Sequence, residues 1–98
     1  MNINMQKNDA ALTVGLEGRL DTTTAPELET ALNGALDGIK GLTIDLEKLE
    51  YISSAGLRVL LSAQKRMMKQ GEMKVTHVNE TIMEIFEVTG FSDILTIE

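Results

Sequence analysis

Residues 41–61 read GLTIDLEKLEYISSAGLRVLL. Leu42, Ile44 and Leu46 fall on one face of an extended chain, and Thr43 and Asp45 fall on the other. That period-2 alternation predicts a strand over 41–49 with one buried face, and the Asp argues that part of it is open to solvent. "EYISS" then leads into a different period. Leu57, Leu60, Leu61, Gln64 and Met68 form one stripe at helical spacing, and Gly71 supplies a stop. A helix is therefore expected from about Ser54 to Gln70. A buried strand that turns directly into an amphipathic helix is the building unit of an α/β fold. The turn itself is unusual, because it places two hydroxyls, Ser53 and Ser54, before the small-residue step Ala55-Gly56.

The flanking sequence repeats the unit. Leu12, Val14 and Leu16 alternate with Thr13, Gly15 and Glu17, which predicts a half-buried strand over 11–18. Residues 3–7 are expected to pair with it across a turn at Asn8-Asp9. Thr24 with Glu27 has the spacing of a capping box, and Pro26 suits a first helical turn. Leu28, Ala31, Leu32, Ala35 and Leu36 continue that helix as one stripe, and Gly38 ends it. Gly34, inside the stripe's helix, suggests a close approach of another element. Downstream, Met73, Val75 and His77 alternate in a short strand, and Asn79 caps a helix buried through Ile82, Ile85 and Phe86. Gly90 stops it, and "DILTI" (93–97) is expected to close the sheet as a short edge strand. The order is β-β-α-β-α-β-α-β: one α/β domain over residues 1–98, with no linker and no internal repeat.

Composition narrows the function. The chain has 98 residues, 43% of them hydrophobic, enough for one modest core. The aromatics are Tyr51, Phe86 and Phe91, so Leu, Ile, Val, Ala and Met must fill that core. No apolar run nears the roughly 20 residues of a membrane span, and the N-terminus has no signal-peptide core. A cytoplasmic location is expected. The formal net charge is -6, and the densest basic group, Lys65, Arg66 and Lys69, sits where it complements a helix C-terminus. Nucleic-acid binding, which needs a basic footprint, is not expected.

Catalytic readings find little support. With no cysteine and one histidine, neither a thiolate site nor a three-histidine zinc site can form. His77 falls in a predicted strand, where a structural role is the plain reading. Ser53 and Ser54 have no base assigned to them by the sequence, and "ISSAG" lacks the first glycine of a nucleophile elbow. No phosphate-cradling glycine loop occurs. No catalytic residue, cofactor or metal is expected. The serine pair remains. One serine at a helix start is an N-cap. A second hydroxyl there also suits phosphorylation, because free amides and the positive end of the dipole accommodate an anion.

"GRLDTTTAPELE" (18–29) and "IDLEKLEYISSAGLRVLL" (44–61) together resemble the STAS domain family, and in particular the bacterial anti-sigma factor antagonists. The resemblance runs from Leu12 to about Ile97. It implies a single mixed sheet of four to five strands with helices mainly on one face. It also implies a partner: an anti-sigma factor that is a serine kinase of the histidine-kinase-like ATPase type. In that family the kinase phosphorylates a serine at a helix start, the antagonist is released, and a metal-dependent phosphatase reverses the step. Carried over by position, the phosphoacceptor is Ser54 and the neighbouring aspartate is Asp21. Better-known members have Asp before the phosphoserine where this chain has Ser53, which makes Ser53 the second choice. Many members also carry a helix after the last strand, and the residues up to Glu98 contain no counterpart.

The expected docking surface comprises Asp21, Thr22, Thr23, Ser53, Ser54, Ala55, Gly56 and Arg58. Ala55 and Gly56 would let a partner's backbone approach, although Gly56 equally suits packing between helix and strand. The family also contains constitutive subunits of transport ATPases and stress-signalling assemblies. In such a subunit the same surface would bind without a switch and the serines would only cap.

Overall fold

The computed structural model describes residues 1–98 and builds one four-stranded mixed sheet. The elements are β1 (Asn2–Asn8), β2 (Ala11–Leu20), α1 (Ala25–Ala35), β3 (Gly41–Ile52), α2 (Ser54–Gln70), β4 (Glu72–Thr76) and α3 (Glu80–Thr89), followed by one 3-10 turn, Phe91–Asp93. The strand order is β1-β2-β3-β4. β1 is antiparallel to β2, and β2, β3 and β4 are parallel to one another.

The sheet has one dry face. Leu12, Val14 and Leu16 of β2, Leu42, Ile44 and Leu46 of β3, and Met73 and Val75 of β4 are all buried. They form one cluster with Leu28 and Leu32 of α1, Leu57, Leu60 and Met67 of α2, and Ile82 and Phe86 of α3. The helices therefore cover the same face, as the alternation requires. No polar or charged residue is buried in this core.

β3 runs three residues beyond its expected end. It carries two register irregularities against β2: Gly15 pairs with Asp45 but Glu17 with Lys48, and Gly18 pairs with Leu49 but Arg19 with Tyr51. Each adds one residue to β3, so its buried positions are spaced by two (42, 44, 46) and then by three (46, 49, 52). Bulges between parallel strands are rare, and they erase the alternation by which a strand is recognised.

Several expectations hold in detail. Asp9 takes a positive φ at the β1–β2 turn. The Asn79 side chain accepts the Ile82 amide at 2.9 Å and donates to the carbonyl of Leu49 at 2.8 Å, so the cap of α3 is tied to bulged β3. Gly90 ends α3 in a left-handed conformation. Others need correction. α2 buries Gly56, Leu57, Val59, Leu60, Ala63 and Met67, while Met68 is 72% exposed. Its buried face is turned because α2 packs on α1 as well as on the sheet; Val59 and Ala63 line one small cavity with Leu32 and Leu36. Gly34 has no atom within 4 Å of where a Cβ would lie, so no close approach explains it. His77 lies beyond the end of β4, with φ 55°. "DILTI" does not form a full strand. The Ile94 and Leu95 amides both bond to the Phe91 carbonyl, which keeps the chain turned until Thr96. Only the bonds from Val75 N to Thr96 O and from Glu98 N to Val75 O then run alongside β4, giving an isolated parallel bridge at Ile97.

Candidate functional site

β2 and β3 end side by side. Leu20 pairs with Ile52, and the Ser53 amide closes the ladder on the Leu20 carbonyl at 2.8 Å. Both chains then leave the sheet at the same edge, β2 into Asp21–Thr24 and β3 into Ser53-Ser54. The crevice beyond the carboxyl ends of parallel strands is where open α/β sheets place their sites.

The Asp21 turn is closed on itself. Asp21 Oδ1 accepts from the amides of Thr23 (3.0 Å) and Thr24 (3.1 Å), and the Thr24 hydroxyl accepts from the Asp21 amide at 2.8 Å. That hydroxyl also lies 2.8 Å from the Arg19 carbonyl, to which it donates. Thr24 therefore makes no side-chain cap on α1, and the expected capping box with Glu27 does not form. Its oxygen points back along the chain, and the Asp21 carboxylate and carbonyl take the first amides instead. The Thr24 amide is the main cause holding the Asp21 carboxyl below its ordinary range. The Thr23 amide, the Thr24 hydroxyl and the Arg19 charge add to it, against some desolvation.

The serines divide the work of the α2 N-terminus. Ser53 is the N-cap, with extended backbone; its Oγ accepts a long bond, 3.4 Å, from the Gly56 amide, and its carbonyl accepts the Leu57 amide. Ser54 is the first residue of the helix and is exposed. Thr22, Thr23 and Arg58 are also exposed, and Asp21 and Ala55 are half-buried. Gly56 does not belong to this surface. It is buried, and a Cβ there would stand 2.6 Å from Leu20 Cγ and 2.9 Å from Ile52 Cγ1. Its missing side chain admits the sheet's own side chains, not a partner's backbone.

Two residues the sequence reading did not select join the edge. Arg19 and Tyr51 face each other across β2 and β3, with the guanidinium 4.4 Å from the ring centroid and Nε 3.7 Å from Asp21 Oδ2. Tyr51 is 36% exposed. The pairing arises from the second bulge, which no short-range sequence signal announces. Neither serine hydroxyl is hydrogen-bonded to an imidazole or a carboxylate, whereas His77 pairs with Asp45. The edge offers an exposed hydroxyl, a fixed carboxylate, an arginine and a partly exposed tyrosine.

The STAS domain family model matches residues 2–98. A Bordetella bronchiseptica protein, BtrV, provisionally named an anti-sigma factor antagonist, is 36% identical over 99% of this chain and 85% of its own length. The crystal structure of an anti-sigma factor antagonist from Mycobacterium paratuberculosis superposes with a TM-score of 0.88 at 25% identity, over 98% of this chain and 83% of that one. Bacillus SpoIIAA in its phosphorylated form shares the fold, with a TM-score of 0.77 at 14% identity over 99% of this chain and 91% of that one. No helix here is long and apolar enough to cross a membrane. The chain belongs to the STAS domain family, among relatives named as anti-sigma factor antagonists.

Proposed function

We propose that this domain is an anti-sigma factor antagonist that binds an anti-sigma factor through the Asp21–Ser54 edge, and that phosphorylation of Ser54 turns binding off. The single observation that supports the switch is the division between the serines: Ser53 holds the cap while Ser54 stays exposed on the first turn of α2. A kinase bound to the edge reaches the Ser54 hydroxyl without unfolding anything. Ser54 Oγ attacks the γ-phosphorus of ATP and loses its proton, and ADP leaves. The product carries about −1.5 to −2 charges at a helix N-terminus, where free amides and the dipole tolerate it. In the partner's interface it stands on the same edge as the carboxylate of Asp21. Like charges brought together during desolvation cost several kcal/mol, and each 1.4 kcal/mol is about tenfold in affinity.

The partner is an anti-sigma factor of the histidine-kinase-like serine kinase type, and a metal-dependent serine phosphatase restores the antagonist. The name of BtrV supports an anti-sigma factor as the partner, and the phosphorylated form of SpoIIAA supports phosphorylation of a domain with this fold. The test is incubation with the cognate kinase and ATP, followed by mass spectrometry and a binding measurement. Wild type gains one phosphate and loses affinity, and Ser54→Ala gains none and stays bound. Equal phosphate on Ser54→Ala moves the site to Ser53. Binding that is unchanged by phosphate identifies a constitutive subunit instead.

A further inference from the structure

We propose that Asp45, Glu47 and His77 form a binding site for a divalent transition-metal ion of the zinc class, on the helix-free face of the sheet. The composition argued against a metal site, because cysteine is absent and histidine is single. The fold supplies what composition could not show. Asp45 and Glu47 lie two apart in β3 and so project to the same face. Asp45 pairs with Thr76 of β4, and His77 follows directly. The left-handed backbone at His77 brings its ring back over the sheet, with Nδ1 3.2 Å from Asp45 Oδ1.

One donor atom from each of the three side chains lies within 4.8 Å of the others. With bonds of about 2.0–2.2 Å in a tetrahedral shell, two ligands of one zinc ion stand about 3.3–3.6 Å apart, so side-chain rotations that draw the donors together by up to about 1.5 Å complete the set. Those rotations are available, because His77 and Glu47 are exposed. Asp45 is the fixed member: its Oδ1 accepts the Glu47 amide at 3.0 Å. The wider surroundings attract a cation. Asp45 and Glu47 line an open groove of about 610 Å³ together with Glu17, Glu27, Lys48 and Met1, so four carboxylates face the ammonium groups of Lys48 and the amino terminus. Lys48 Nζ lies 3.9 Å from a Glu17 carboxylate oxygen.

The donor set selects the metal. One imidazole nitrogen with two carboxylate oxygens suits zinc and its neighbours, whereas magnesium and calcium take oxygen ligands. Three protein ligands leave at least one position for water, so this is an open site and not a closed structural one. When the ion binds, Nδ1 carries it in place of a proton, and the ring proton resides on Nε2.

The single histidine makes the test direct, because its ring protons give one resolved pair of NMR signals. Titration of the full chain with zinc chloride shifts the His77 signals to saturation at one equivalent, and magnesium chloride leaves them in place. Asp45→Asn and Glu47→Gln each weaken zinc binding by at least about tenfold, which is 1.4 kcal/mol. His77→Ala removes saturable binding measured by calorimetry. His77 signals unmoved by zinc overturn the site, as does a His77→Ala protein that binds as tightly as wild type. Unchanged affinity in both carboxylate variants overturns it too, by placing the ion on the imidazole alone. None of these outcomes bears on Ser54, which is contributed by a different edge of the molecule.

Discussion

At the scale of single residues, the site depends on how Asp21 is held. Its carboxylate accepts two amides and faces Arg19, and its pKa in the folded chain is lowered from about 3.8. A group whose folded pKa is depressed stabilises the native state fully above its unfolded pKa, and that stabilisation is lost as pH falls through the folded value. The thermal midpoint of wild type should therefore exceed that of Asp21→Asn by a constant margin above about pH 5. The margin should shrink as pH drops below about 4. A margin that stays flat down to pH 2 would show that the folded turn does not prefer the ionised form. Asp21 and Ser54 were both legible in the sequence, since the motifs around them fix their positions at the ends of strand and turn. Arg19 and Tyr51 were not, because their contact depends on a register shift between strands some 30 residues apart.

At the scale of elements, two glycines invite opposite expectations. Gly71 follows α2 with an extended backbone, φ 179°, that any residue can adopt. Yet a Cβ there would stand 1.9 Å from the Lys40 carbonyl oxygen, and the next amide, of Glu72, bonds to that same oxygen at 2.9 Å. The clash is with backbone, so α2 and β4 must separate from the α1–β3 loop to relieve it. The same junction is held by Gln70, whose amide donates to the carbonyls of Leu36 and Ile39 at 2.7 Å. Gly71→Ala is expected to cost about 3 kcal/mol, lowering the thermal midpoint by roughly 10 °C or more. Gly34→Ala fills open space inside a helix and should stabilise by about 0.5–1 kcal/mol. Circular-dichroism melts of the two variants check the pair, and a stable Gly71→Ala would mean that the junction is looser than its contacts imply. From sequence alone Gly71 reads as a stop and Gly34 as the mark of a close approach, and the structure has the close approach at Gly71. The element boundaries were legible from period and caps, but the neighbour across the gap was not. The same blindness misplaced Met68, since the α2 stripe was read for one packing surface and the helix has two.

At the scale of the molecule, stability and recognition occupy different regions. Every buried residue in the core is apolar, and the exposed Ser54 belongs to the sheet's rim. The α/β class and the strand–helix order could be read from alternating periods, because each element buries one face in a single shared core. The last strand could not, because turn hydrogen bonds to the Phe91 carbonyl compete with pairing over residues whose composition permits either. This separation is what a phosphorylation switch requires: the surface must change charge while the fold stays put. Ser54→Asp adds a negative charge at the α2 N-terminus, where the dipole favours it by about 0.3–1 kcal/mol, so the melting midpoint should hold or rise by a few degrees. Ile44→Ala, at a fully buried position, should cost about 3 kcal/mol and lower the midpoint by more than about 10 °C. Under the proposed function, Ser54→Asp should still lose its anti-sigma factor, while Ile44→Ala keeps it at temperatures below its own midpoint. A Ser54→Asp protein that melts as early as Ile44→Ala would couple the rim to the core. Partner release on phosphorylation would then reflect unfolding and not repulsion at the interface.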